Sequence, residues 1–332
     1  MLTGLEACET LIDQILPDLY RITLPMPFRL RHVHVHALVH DGKVALFDTG
    51  MNLPESFRAL DEALATLGKT TRDIDQVFLT HFHADHCGIA GDIQKRSGAV
   101  VRLSATDERR LQYNSRQEDF VERARTFYLS QGLPQKAMDT LIKLMAAFRK
   151  ATIPFRVDSH LEPHGRHTLG SRSLEVIPAA GHTSGQMCFY FPEEQILLAG
   201  DHVLPDITPN LSPDIFMLDY RLLRIFLESL DAIRDLPVRM VYPAHGDPFP
   251  DLGKRVDEIT EHHAERTQLI AEALRGKEKT AFEVSGDIFG TDLPEFDQFL
   301  ALNETYVHLV ELMDNGIVGA MEMDGLVVYH LL

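Results

Sequence analysis

In HVHVHALV apolar and polar positions alternate with a period of two, and with the flanking runs LYRITLPM and VALFDTG it predicts three short strands from residue 19 onward, the last two joined by a turn at Asp41 and Gly42. The period lengthens to that of a helix over residues 54–67, after which Gly68 supplies a left-handed C-cap. QVFLT (76–80) is again a short apolar strand, and it runs directly into THFHADHCG (80–88), so that motif sits on a loop at a strand's C-terminal end. A helix near 88–97 and the strand AVVRLS follow, and the same order returns in SLEVIPAAGHTSG, QILLAGDH and VRMVYPAHGD, each strand ending in a histidine or aspartate. Four strand ends thus offer metal-ligating side chains, the means by which a rigid scaffold assembles one site from distant sequence.

From about 105 to 152 the pattern becomes continuously helical, broken at Gly132, Leu133 and Pro134. Met138, Leu141, Ile142, Met145 and Phe148 recur there at helical spacing, which fits either a packed stripe or a lid over the site. Residues 252–274 carry Leu252, Val256, Ile259, His263, Ile270 and Leu274 on one stripe, and His263 reads as a helix-face residue rather than a ligand. Two further helices are expected near 280–289 and 295–314, then a hairpin about Asp324 and Gly325. Helix, helix, hairpin predicts a small winged-helix-like domain over 276–332, joined by a connecting helix (251–275) to a catalytic domain (1–250) that carries the insert.

Charge changes what that C-terminal domain can do. The chain has 332 residues, 45% apolar and 24% charged, an ordinary globular composition, but its formal net charge is −17. From residue 276 onward there are two lysines, no arginine and eleven carboxylates. A recognition helix needs cations for phosphates, and this one carries Glu295, Asp297, Glu304 and Glu311, so no nucleic-acid partner is expected. A homodimer contact or a wall of the substrate pocket is the expected role. Cys8, Cys87 and Cys188 give no disulfide framework and fit a reducing compartment. The N-terminal stretch carries Glu6, Glu9 and Asp13 without a basic leader, and no later run approaches 18 apolar residues, so a cytoplasmic protein without a membrane partner is expected.

In HFHADH, His81 and His83 lie two apart on extended backbone and can share one ion, while Asp85 and His86 point elsewhere as the loop turns. One tetrahedral ion cannot take all four with good geometry, so two ions is the economical reading. His182, Asp201 and His245 at the later strand ends supply the missing ligands.

These motifs, with LFDTG at 46–50, resemble those of the metallo-β-lactamase-fold hydrolase superfamily over roughly residues 19–250. The resemblance implies an α+β fold, an αββα sandwich of two mixed sheets with helices outside, here with a helical insert and a C-terminal addition. It also implies a division of ligands: His81, His83 and His182 on one metal, Asp85, His86 and His245 on the other, Asp201 bridging. Relatives similar to zinc β-lactamases carry cysteine where this chain has Asp201, so penicillin hydrolysis is not expected. The aspartate pattern instead resembles the glyoxalase II, lactonase, thioesterase and RNase Z branches. The insert and acidic tail resemble the subgroup that includes bacterial acyl-thioester and lactone hydrolases. By the same resemblance Asp48 orients a ligand histidine or the loop.

A water between two divalent cations ionises near neutral pH, since one zinc already brings its pKa to about 7. The expected reaction is therefore attack of a metal-bridging hydroxide on the carbonyl of an ester, thioester or lactone with a small or acyl-chain substrate. Zinc is the first choice for the ligand set, and iron or manganese also suits it. Asp85 and His202 are the candidates for a catalytic role beside the metals, His202 as a proton shuttle or as a support behind Asp201. His32, His34 and His36 share one strand face, which fits a further metal site or, for His34, the pocket rim. Asn210 and Phe216 are expected to touch substrate, Thr183 and Ser184 to shape their turn, and Cys87 to be a small buried residue outside the ligand set. Rival functions are a phosphodiesterase or nuclease, a metal-bearing sensor with incidental hydrolysis, and a mononuclear iron dioxygenase, the last disfavoured by the presence of Asp85, His86 and His245.

Overall fold

The computed structural model describes residues 11–115, 117–215 and 220–332, without side chains for 113–118; Cys8 and Phe216 lie outside the described residues. Two sheets form the centre. The first has seven strands in sequence order: Ile12–Gln14, Leu19–Pro25, His32–His40 and Lys43–Phe47 are antiparallel, then Ile74–Phe78, Val100–Leu103 and Ser159–His160 continue it in parallel. The second runs Met240–Pro243, Ile196–Gly200, Met187–Phe191, Arg172–Pro178, Arg166–Leu169, its first pair parallel and the rest antiparallel.

Strand parity explains why the sheets stack. Along Lys43–Phe47, Ala45 and Phe47 face the second sheet, where Phe47 meets Phe78, Phe189 and Phe191, while Val44 and Leu46 face a separate outer core. That core is completed by Leu60 and Leu64 of helix Pro54–Thr66 and Ile93 of helix Ala90–Ser97. Ile196–Gly200 does the same on the other side: Ile196 and Leu198 face inward, Leu197 and Ala199 meet helices Leu222–Arg234 and Leu252–Ala273. Each sheet is apolar on both faces, which places one helix layer outside each and yields the αββα sandwich.

A further core lies outside the sandwich. The insert folds into helices Ala105–Ser115, Gln117–Ser130 and Gln135–Lys150, and the C-terminal region into helices Ala281–Phe289 and Glu295–Asp314 with a three-stranded sheet of Lys279–Thr280, Leu326–Leu331 and Val318–Met323. Tyr128, Met138 and Leu141 of the insert pack with Ile270, Val284, Leu302 and Tyr329. The Tyr128 hydroxyl donates to Asn303 Oδ1 (3.0 Å) and the Tyr329 hydroxyl to Gln131 Oε1 (2.7 Å). Insert and C-terminal helices, distant in sequence, therefore share one core. On helix Gln135–Lys150, Met138 and Leu141 are buried in this core, Ile142 and Met145 pack against it, and Ile142, Met145 and Phe148 also line the cavity described below. Among the described residues no helix is long and apolar enough to cross a membrane.

Candidate metal centre

The candidate ligands gather where parallel strands end, at one edge of the sandwich. After Ile74–Phe78 the chain runs on to His83, which is extended (ψ 150°), then closes into a single helical turn, Ala84–Cys87. That change of conformation separates the ligands: His81 and His83 precede the turn, Asp85 and His86 project from it. Asp48, at the end of Lys43–Phe47, holds a left-handed φ of 59°, a strained conformation for a residue with a Cβ. The strain aims its carboxylate at the loop. Oδ1 accepts from the Thr80 amide (2.8 Å), and Oδ2 accepts from both Thr80 Oγ1 (2.8 Å) and His86 Nδ1 (2.8 Å). With its proton given to Asp48, Thr80 Oγ1 accepts from His81 Nδ1 at 3.0 Å.

The other histidines are fixed by carbonyls. His182 Nδ1 donates to Asn210 O and His245 Nδ1 to His32 O, both at 2.8 Å. His81, His86, His182 and His245 thus each direct Nδ1 to an oxygen partner and turn Nε2 inward, the arrangement by which oxygen partners orient a metal-ligating imidazole. His83 presents Nδ1 instead, 3.0 Å from His81 Nε2 and 2.9 Å from His182 Nε2. Asp201 lies between the two groups. Its Oδ2 is 3.4 Å from His182 Nε2; its Oδ1 is 3.4 Å from His86 Nε2 and 3.5 Å from His245 Nε2. Asp85 Oδ2 completes the second group, 3.5 Å from His245 Nε2 and 3.7 Å from His86 Nε2. Gly200, with φ of 53°, lets Asp201 approach so closely: a Cβ there would stand 3.0 Å from Thr80 Cβ.

All seven predicted ligands are therefore brought together, in three groups able to hold metal: His81, His83 and His182; His81, His86 and Asp201; Asp85, His86 and His245. The donor set fits divalent cations on its own chemistry. His86 Nε2 and Asp201 Oδ1 are buried with no hydrogen-bond partner, and three imidazole nitrogens converge within about one hydrogen-bond length although the partners of His81 and His182 leave theirs unprotonated. Burial, reinforced by His86 and the neighbouring imidazoles, pushes His81 well below the ordinary range, and burial with His182 brings His83 down to about 3. Burial also opposes charge on His86 and His245, but Asp201 and Asp85 overcome it, raising His86 well above its usual value and His245 to about 10. The carboxylates create a field that favours positive charge.

Other expected residues fall differently. His202 stands behind Asp201 rather than on the cavity: it is fully buried, 3.4 Å from Ser229 Oγ through Nε2, with its ring against Phe226. His34 is not at the pocket rim, and His32, His34 and His36 do not form a metal group among the described residues. His34 is buried and bonded to Thr23 Oγ1 (3.1 Å), and His36 is buried beside Tyr242. This strand serves the centre through its backbone, His32 O holding His245 and the His34 amide holding Ala244 O (2.7 Å). Cys87 is buried, its thiol donating to Phe82 O (3.0 Å). Thr183 does shape its turn, through a residue that the sequence pattern did not single out. Asp107, buried in the first turn of the insert, accepts from Thr183 Oγ1 (2.8 Å), the Gly185 amide (2.9 Å) and the Phe82 amide (3.1 Å), tying two ligand loops together. Burial pushes its carboxyl up to about 7. Its only sequence signal was Ser104, whose Oγ accepts from the Asp107 amide (3.1 Å) at the helix start.

Above the centre opens a cavity of about 2240 Å³, with His83, Asp85, His182, Asp201 and His245 in its wall. Asn210 and Ser184 border it, as do Phe28 and Phe148 (ring centroids 5.5 Å apart) and Phe296 and Phe299. Aromatics from the sandwich, the insert and the C-terminal helix thus line one chamber.

Residues 29–245 match the Metallo-beta-lactamase superfamily. The chain is 27% identical to "Probable metallo-hydrolase YqjP" of Bacillus subtilis (strain 168), over 88% of this chain and 91% of that one. It is 22% identical to "Atrochrysone carboxyl ACP thioesterase dmxR1" of a Cryptosporiopsis species, over 79% of this chain and 65% of that one. A solved metallo-beta-lactamase family protein from Thermus thermophilus superposes with a TM-score of 0.86 at 29% identity, covering 96% of this chain and 100% of that one. Family match, sandwich and neighbours agree: the chain belongs to the metallo-beta-lactamase superfamily.

Proposed function

We propose that this protein is a dinuclear hydrolase of acyl thioesters or esters, with zinc as the resident metal. The single observation that carries the reading is Asp201, which turns one oxygen to His182 (3.4 Å) and the other to His86 and His245 (3.4 and 3.5 Å), at the floor of the cavity. Two cations bound there would supply a water ionised near neutral pH and a Lewis acid for the substrate carbonyl. The chain's own residues do the rest. His81, His83 and His182 would hold one ion and Asp85, His86 and His245 the other, with the Asp201 carboxylate turned to both groups. Asp48 and Thr80 orient His81 and His86.

Substrate class follows from the cavity. Its volume of about 2240 Å³ exceeds the roughly 300–1,000 Å³ of an ordinary small-molecule pocket, and its walls are largely apolar and aromatic. A long acyl group fits such a chamber better than a small lactone, and the thioesterase name of the Cryptosporiopsis relative agrees with that chemistry. The sandwich of residues 1–250 would carry the reaction, and the insert and residues 276–332 would shape the substrate chamber. Zinc-loaded protein should be assayed on acyl thioesters of increasing chain length, acyl-lactones and a phosphodiester, with His83→Ala and Asp85→Ala in parallel. Thioester cleavage that improves with chain length and is lost in both variants is expected. Activity surviving both substitutions would sink the metal mechanism, and preference for the phosphodiester would overturn the bond assignment.

A further inference from the structure

A second convergence of ligating groups lies away from the centre, between helices Leu252–Ala273 and Glu295–Asp314. His263, which the sequence pattern places on an ordinary helix face, is fully buried there opposite Glu304 and His308. Glu304 and His308 are four residues apart and so share one face of their helix. His263 Nδ1 is 3.2 Å from His308 Nε2 and 3.8 Å from Glu304 Oε1, and His308 Nε2 is 3.4 Å from Glu304 Oε1. Metal–ligand bonds of about 2.0–2.2 Å in a tetrahedron place neighbouring ligand atoms about 3.3–3.6 Å apart, and these three spacings scatter about that range.

Proton positions sharpen the case. Thr267 Oγ1 donates to His263 O (2.8 Å), its backbone neighbour one turn earlier, so its single proton is committed. The same oxygen lies 2.7 Å from His308 Nδ1; with its proton on His263 O it accepts from a neutral His308, whose bare Nε2 then faces Glu304 and His263. Among His308 Nε2, His263 Nδ1 and Glu304 Oε1, neutral imidazoles and an ionised carboxylate offer at most one proton. One cation satisfies all three. Arg266, whose charge also reaches Glu304, is held over the Phe289 ring, 4.3 Å from its centroid. The Thr267 hydroxyl repeats the device of the main centre, an oxygen fixing the far nitrogen of a ligand imidazole.

We infer that His263, Glu304 and His308 form an additional divalent-cation site, of zinc type by its two imidazoles and one carboxylate, that clamps helix Leu252–Ala273 to Glu295–Asp314. Glu304 borders the cavity, so a water or substrate oxygen can reach the fourth corner from that side. The site is separate from the seven ligands at the strand ends and stands whatever bond the hydrolase cleaves.

Zinc per chain, measured by plasma mass spectrometry after zinc loading and gel filtration, is expected to fall by one equivalent in Glu304→Gln and in His308→Gln relative to the unaltered chain. Equal zinc in all three would overturn the site and leave a hydrogen-bonded triad only. A readout without variants guards against misfolding: crystals grown with zinc and measured on both sides of the zinc edge should show an anomalous peak between His263, Glu304 and His308. An empty map at that point, with peaks at the strand-end centre, refutes the inference while leaving the hydrolase reading intact.

Discussion

Among the described residues two clusters of histidine and carboxylate could hold metal, and they are built on different architecture. At the strand ends seven groups converge from four loops, each free to take its own backbone conformation, including the left-handed φ of 59° at the neighbouring Asp48. Between the C-terminal helices three groups converge from two regular surfaces, where helical spacing alone sets the placement. Loops can aim many ligands and divide them between two positions, and Asp201 then bridges the groups. Packed helices can offer only what one facing stripe allows, two residues a turn apart on one side and one on the other. The first architecture makes a site facing a chamber where a reaction can occur; the second makes a clamp.

The largest break in this comparison comes from Asp201→Asn. Its carboxylate alone faces both groups at the strand ends, so loss of one negative charge should lower kcat/KM on a thioester about 10³-fold or more, while Glu304 and its neighbours are untouched. Steady-state kinetics with metal analysis checks it. A variant that keeps near-normal kcat/KM would show that a bridging carboxylate is not required.

The contrast also explains what could be read from the chain. HFHADH is contiguous, and Gly-His, Gly-Asp and Ala-His-Gly each close a strand, so the strand-end cluster was legible before any folding was known. His263 was hidden in plain periodicity: it occupies a buried position of an amphipathic stripe where an apolar residue would look no different. Its partners Glu304 and His308 are legible only once the two helices are known to pack. Gly276 stands with φ of 67° after helix Leu252–Ala273, and Val284, Leu302 and Tyr329 beyond it pack with the insert, a contact between distant segments that periodicity does not announce. Many of the tail's carboxylates likewise pair with distant cations, as in Arg29–Asp297, Lys136–Glu295, Arg221–Asp314 and Arg224–Glu311, a use of charge that composition cannot reveal.

Smaller perturbations compare the supports. Asp48→Asn keeps the size of the side chain but removes the anion that receives His86 Nδ1–H and both Thr80 donors. Metal affinity or activity should fall about 10- to 100-fold, the usual range for such supports, as read by zinc competition with a chromophoric chelator. Asp107 tests the link between the ligand loops through pH. Burial raises its carboxyl from the usual value to about 7, so between roughly pH 4 and 7 the native state holds a proton that the unfolded chain has released. Stability attributable to this group therefore falls as pH rises through that window. From pH 5 to 7 the loss should be about 2 kcal/mol in the unaltered chain and absent in Asp107→Asn, so the two denaturation curves should move closer or cross as pH increases. Parallel pH profiles would show that Asp107 titrates normally.

The smallest expected effect belongs to the helix cluster, and it tests whether both clusters use the same device. Thr267→Val is close to isosteric and removes one hydroxyl that donates to His263 O and accepts from His308 Nδ1. Unlike Asp48 it carries no charge, and the His263 carbonyl keeps its place in the helix, so the loss should be about 1 kcal/mol, or a few degrees in Tm for a chain of this size. The added consequence is specific to a metal site. Once the hydroxyl no longer sets its tautomer, His308 is free to place its proton on Nε2, where a cation would have to displace it, so zinc should raise the Tm of Thr267→Val less than it raises that of the unaltered chain. If zinc shifts both by the same amount, the hydroxyl is a packing contact alone, and the likeness between the two clusters ends at their residue types.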